Sequence, residues 1–157
     1  MKYKLINKTK ISTNVLKTLI ELAAPKGIDE VDISIKYDYS GESAWHAVAY
    51  AFKKKKSINL WIMDGDLNLP KYSNPSALKK VGYSPRFLIK NQNEVLVSLL
   101  AHELRHIWQG NVSKQNFLKS KLHYYKSWDG LTYSSVYKME LDACKYAKKI
   151  LDKYRKL

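Results

Sequence analysis

Asn93-Glu94-Val95-Leu96-Val97-Ser98-Leu99-Leu100-Ala101-His102-Glu103-Leu104-Arg105-His106-Ile107-Trp108-Gln109 is the stretch on which both the fold and the chemistry of this chain depend. Its apolar residues cover nearly every helical face, so length and periodicity predict a helix buried at the centre of a domain. Asn91 or Asn93 is the expected N-cap and Gly110 the expected stop. Inside it, His102-Glu103-Leu104-Arg105-His106 reads H-E-x-x-H. Residues at i and i+4 project from one helix face about one turn apart. Two imidazole nitrogens can therefore reach one zinc ion while Glu103 stands beside them to act on water. The competing reading is a pair of core histidines satisfied by hydrogen bonds. It leaves His, Glu and His on a Val/Leu/Ile helix without a compensating ion, which is costly, so the metal reading is preferred.

Catalytic zinc usually takes three protein ligands and leaves the fourth position to water, so a third ligand is needed downstream. His123 and Glu140 are the candidates, and the surroundings of Glu140 decide between them. Tyr137, Ala143 and Cys144, three or four residues away on its helix, offer no Lys or Arg for pairing. A carboxylate without a basic neighbour is suited to a metal cation. Ala143, Cys144 and Ala147 are small and would let this helix approach the metal helix closely. Asp142, turned about 200° from Glu140 on a helix, is assigned to a surface pair with Lys145 or to a supporting role behind the ligands. With His102, His106 and Glu140 as ligands and Glu103 as general base, the expected chemistry is attack by metal-activated water. His123, Tyr125, Tyr133 and Tyr137 are equal candidates for the donor that steadies the oxyanion, and aromatic packing accounts for them as well.

Outward from this helix the elements are simpler. Residues 13–24 place Val15, Leu16, Leu19, Ile20 and Ala23 at helical spacing, with Ser12 or Thr13 as cap and Pro25 and Gly27 as stops. Val31, Ile33, Ile35 and Tyr37 alternate with polar residues as a half-buried strand does. Trp45–Phe52 and Ile58–Met63 read as two more strands, joined through the Lys53-Lys54-Lys55-Lys56 tip of a hairpin. The turn-rich stretch from Asp64 to Lys80 begins like a calcium loop, with Asp64, Asp66 and Asn68. It then carries Leu69 and Pro75 where Gly and Glu are required, and reads as a turn. A last helix spans Ser134–Lys153. The expected fold is α+β: an N-terminal helix, a small three-stranded antiparallel sheet, a buried metal-binding helix and a C-terminal helix, all in a single compact domain over residues 1–157.

The chain's 157 residues, 45% of them hydrophobic and 27% charged, match one globular domain able to bury its own core. No apolar run approaches the 18 or so residues of a membrane span, and Met1–Lys8 lacks the apolar segment of a signal peptide. With Cys144 as the sole cysteine, a reducing cytoplasm is the expected compartment. The net charge of +14 raises the question of nucleic acid. Arg86, Arg105 and Arg155 are the only arginines among 28 basic residues, leaving 25 lysines. Lys is a solvated point charge without the bidentate geometry of Arg, so a solvated basic face is favoured over a nucleic-acid interface.

His102-Glu103-Leu104-Arg105-His106 followed by Glu140-x-x-Ala143-x-x-Tyr146-Ala147 resembles the gluzincin metallopeptidases, especially the compact minigluzincins and proteases of bacterial mobile elements. Upstream, Ser43-Ala44-Trp45-His46, a hairpin and Leu60-Trp61-Ile62-Met63-Asp64-Gly65 are similar to the edge strand, hairpin and inner strand that precede the metal helix of thermolysin-like enzymes. Ser43 stands where that family has Asn. The resemblance covers residues 43–147. It implies a zinc endopeptidase with Zn2+ on His102, His106 and Glu140, Glu103 as catalytic base, and a protein or peptide substrate laid along the edge strand at Ala44 and Trp45. Two rivals stand beside it: a basic nucleic-acid-binding module with a structural metal, and a zinc protease similar to the SprT-like family that acts on DNA-associated proteins.

Overall fold

The structure, a computed structural model, describes residues 1–37, 45–51, 55–62, 90–112 and 134–157. In chain order these form β1 (Lys2–Lys8), α1 (Thr13–Ala23), β2 (Glu30–Tyr37), β3 (Trp45–Tyr50), β4 (Ser57–Ile62), α2 (Gln92–Val112) and α3 (Ser134–Tyr154). The fold is mixed α/β, and each expected helix and strand is present within a few residues of its expected bounds. Asp64–Lys80, and Lys53 and Lys54 of the lysine tip, lie outside the described residues.

The sheet differs from expectation. Among the described residues it has four strands in the order β1-β2-β4-β3, and it is mixed, not antiparallel. Strands β1 and β2 run parallel, as do β2 and β4, and only the β3–β4 hairpin is antiparallel. Burial explains the arrangement. Val31, Ile33 and Ile35 of β2 and Ile58, Leu60 and Ile62 of β4 are all at most 1% exposed. Pairing these two strands at the centre sets Ile33 beside Ile58 and Ile35 beside Leu60, joining the two most apolar rows. Strand β3, whose Ala47 and Ala49 offer less apolar surface, is left at one edge of the described sheet. The fourth strand, β1, supplies the other edge and precedes the helix that was expected to come first. Its Lys2, Lys4 and Lys8 dominate its composition, while Tyr3 and Leu5 pack only partly against the core. Edge strands are commonly protected by lysine in this way, which blunts the hydrophobic alternation by which strands are recognised. Helix α1 carries the chain back between β1 and β2, and such a crossover is what parallel neighbours require.

Since the buried rows of β2 and β4 lie on one face, the helices cover that face. Leu16, Leu19 and Ile20 of α1, Leu96, Leu100, Leu104 and Ile107 of α2, and Ile150 and Leu151 of α3 close the core. The opposite face carries Asp32, bridged to Lys55 at 2.8 Å, and Lys36, whose Nζ stands 4.9 Å from the Trp61 ring centre. Helix α2 is buried nearly all round, as its composition predicts, against α3, α1, β3 and β4. Asn91 is its cap: Asn91 Oδ1 accepts from the Glu94 amide at 2.9 Å, and Glu94 Oε2 accepts from the Lys90 amide at 2.7 Å. Gly110 does not end the helix, which continues to Val112. Arg155, just beyond α3, donates from Nε and Nη2 to the two Glu94 oxygens at 2.8 Å each, fastening the end of one helix to the start of the other. Tyr146 Oη donates at 3.1 Å to the Ala23 carbonyl, tying α3 to the end of α1. Among the described residues no helix is long and apolar enough to cross a membrane.

Candidate metal centre

Helix α2 presents His102 and His106 one turn apart, and α3 brings Glu140 against both. His102 Nε2 lies 3.2 Å from Glu140 Oε2, His106 Nε2 lies 3.3 Å from Glu140 Oε1, and the two Nε2 atoms are 3.0 Å apart. The imidazoles meet edge to face, with ring centres 4.7 Å apart and an interplanar angle of 80°. Two ring nitrogens and a carboxylate converging so closely need positive charge between them, either a proton or a metal ion. The donor set fits an ion. Ligands about 2.0 to 2.1 Å from a tetrahedral centre stand about 3.3 Å from one another, close to the spacing seen here. His102, His106 and Glu140 thus form a group that could hold a metal ion. The histidine side chains are 13% and 12% exposed against 39% for Glu140, so solvent reaches the group from the Glu140 side.

Without an ion, electrostatics binds the same three residues. Burial depresses the His106 imidazole, but hydrogen bonding to Glu140 and the charges of Glu140 and Glu103, with Gln109 adding, outweigh it and raise the group to about 9. Burial pushes the Glu140 carboxyl up, and the two histidines more than reverse this, leaving it well below the usual carboxylate range. Glu103 is buried, at 7% exposed, and its charge acts on both His106 and Cys144.

Behind the two histidines is a set of contacts that the sequence only partly indicates. His106 Nδ1 meets Gln109 Oε1 at 2.9 Å. Gln109 Nε2 donates to the Met139 carbonyl at 3.0 Å and to Asp142 Oδ2 at 2.8 Å. Asp142 in turn receives Arg105 in bidentate fashion, at 2.7 and 3.1 Å, and Arg105 stacks 3.7 Å from the Trp108 ring centre. Asp142, expected either to pair at the surface or to support the site from behind, is engaged by Arg105 and Gln109 of α2. Arg105 and Gln109 hold Asp142 below the ordinary carboxylate range against the opposing effect of its partial burial. At the other histidine, Cys144 Sγ lies 3.8 Å from His102 Nδ1. Burial, with the Glu140 and Glu103 charges, pushes this thiol up to about 12. The small residues of α3 are buried as expected, with Ala143 at 0% and Cys144 and Ala147 at 3%.

The remaining expected site residues fall elsewhere. Trp45 opens β3, opposite Ile62, at the edge of the described sheet. Ala44, His123, Tyr125 and Tyr133 lie outside the described residues, and Tyr137 belongs to the first turn of α3. Gln109 was the residue missed. Its signal was available, because a glutamine three residues beyond His106 on the same helix faces the same neighbour. No family model, curated protein or solved structure matches the chain, so its function has to be read from its own residues.

Proposed function

We propose that the chain is a zinc-dependent metallopeptidase that hydrolyses peptide bonds of a protein or peptide substrate. One observation carries the reading: H-E-x-x-H on a buried helix, with Glu140 Oε atoms 3.2 and 3.3 Å from the two histidine Nε2 atoms. His102, His106 and Glu140 would hold Zn2+, the ion for which two imidazoles and a carboxylate are a typical catalytic set. Zinc supplies Lewis acidity, polarising a scissile carbonyl and acidifying water. The protein does the rest. Glu103, next to His102 on the buried helix, takes the proton from the attacking water and delivers it to the leaving amine. The edge strand β3, which packs on α2, offers backbone groups to an extended peptide, entered at Ala44 and Trp45.

The discriminating experiment combines metal analysis of the purified protein with digestion of an unfolded protein such as reduced casein. Zinc near one equivalent and chelator-sensitive cleavage are expected. Glu103→Gln should retain the zinc and lose cleavage by about 10²-fold or more, since the amide fills the space without accepting a proton. Retained cleavage in Glu103→Gln removes the general-base role, and zinc content near zero removes the site. The second reading is nucleic-acid binding, alone or as the location of a protease's substrates. It draws on the exposed lysines Lys145, Lys149 and Lys153 of α3 and Lys156 just beyond it.

A further inference from the structure

The two histidines of the metal group differ in what stands behind them. His102 Nδ1 faces the Cys144 thiol at 3.8 Å. A thiol is both a weak donor and a weak acceptor, so this neighbour leaves either imidazole tautomer permitted. His106 is placed otherwise. Two acceptors that cannot donate, the Met139 carbonyl and the Asp142 carboxylate, lie 3.0 and 2.8 Å from one end of the Gln109 amide. That end must be the NH2. The other end, 2.9 Å from His106 Nδ1, is then the amide oxygen, which only accepts. A proton therefore belongs on Nδ1, and the lone pair of a neutral His106 belongs on Nε2, the atom that faces His102 and Glu140.

We propose that Gln109 is a positioning residue that fixes His106 as the Nδ1–H tautomer, and that Asp142, anchored by Arg105, fixes Gln109 by holding its amide in one orientation. The chain runs from one helix to the other: Arg105 and Gln109 belong to α2, Met139 and Asp142 to α3. The same contacts that dock α3 onto α2 thus aim a donor atom, and docking and ligand orientation are a single event. Glu140 sits one residue beyond Met139 and two before Asp142, so it is delivered to the site by that docking. His102 has no comparable determinant among the described residues and takes its tautomer from whatever binds its Nε2.

The inference rests on the metal reading for its consequence in affinity, but the tautomer itself can be read in the ion-free protein. Long-range proton–nitrogen NMR of the imidazoles in the ion-free protein, at about pH 10 where imidazoles are largely neutral, separates the two tautomers. Zinc affinity is read in parallel by competition with a chromophoric chelator. In the wild type, the resonances removed by His106→Ala should report Nδ1–H almost alone. In Gln109→Met, of similar volume, they should report a mixture, with zinc bound about 10- to 100-fold more weakly. Gln109→Glu sets a carboxylate against Asp142 and should weaken zinc further. Adding Asp142→Asn should restore much of the loss, because the asparagine amide can donate to the new carboxylate and still accept from Arg105. A merely structural role predicts no such rescue. Equal tautomer populations and equal zinc affinity in wild type and Gln109→Met would overturn the proposal. So would failure of the double variant to recover while its helical circular dichroism is intact. A wild type with the Nδ1–H tautomer and no zinc affinity supports the tautomer lock and rejects the metal reading, which keeps the two failures apart.

Discussion

His106 and Glu140 stabilise each other's charged forms within a partly buried group, and the pH dependence of that pairing has a definite sign. The His106 imidazole is raised from 6.5 to about 9, so in the ion-free protein its contribution to stability is complete below about 6.5 and is lost as pH rises through 9. The Glu140 carboxyl is lowered from 4.5, so its contribution is complete above about 4.5 and is lost as pH falls through its depressed value. The ion-free protein should therefore gain most from this pair between about pH 4.5 and 6.5. A metal ion competes with the proton on His106, since only neutral imidazole ligates. Apparent zinc affinity should rise by up to tenfold per pH unit and level off above about 9, as checked by chelator competition at a series of pH values. His106→Ala should abolish tight binding at every pH, whereas a pH-independent affinity would place the ion elsewhere. The convergence of His102 and His106 was legible in the sequence because i, i+4 spacing is a local property of a helix, and Glu140 was singled out because its own helix offers it no cation. The link from Gln109 to Asp142 was not. It joins residues 33 positions apart, and only the docking of α3 on α2 brings them together.

At the scale of elements, the small residues of α3 set how near Glu140 can come. Ala143 is fully buried, at 0% exposed, one turn beyond Glu140 on the helix that packs most extensively on α2. Ala143→Leu would add three carbons where no space is provided, at a cost of about 1–3 kcal/mol in overpacking. The relief available is for α3 to move outward, carrying Glu140 from the histidines. Urea unfolding should show that loss of stability, and zinc affinity should fall in the same variant. Lys149→Ala, on the exposed face of the same helix, should leave both within about 0.5 kcal/mol of wild type. A fully stable Ala143→Leu with undiminished zinc affinity would show that the approach of the helices does not govern the site. Helices and hairpin were readable because each has its own periodicity. Strand β1 was not, because its outward lysines and half-covered Tyr3 and Leu5 give it the composition of a polar leader.

At the scale of the whole molecule, strand order is where sequence reading failed. The hairpin between β3 and β4 is a neighbour relation, but the parallel pairing of β2 with β4 is decided by which two strands bury their inner faces completely, a comparison across the finished core. Charge is the other global property. Against a net +14, the α3 lysines Lys145, Lys149 and Lys153 recur every four residues and so share one exposed face of the helix, and exposed Lys156 follows in the turn just beyond it. Lysines arranged this way neutralise phosphates without reading bases, and four such contacts give a slope of log affinity against log salt of about −3.6. Duplex DNA should therefore bind weakly and without sequence preference, losing about a hundredfold in affinity between 50 and 200 mM salt. His102→Ala, which removes a member of the candidate metal group, should leave that binding unchanged, because the lysines and the His102–His106–Glu140 group are different side chains. Fluorescence anisotropy with two unrelated duplexes, at two salt concentrations, with wild type and His102→Ala, makes the comparison. Binding that persists at 200 mM salt, prefers one duplex, or disappears with His102 would mean that nucleic acid is recognised by the site itself, and the basic face could no longer be treated as separate from the chemistry on α2.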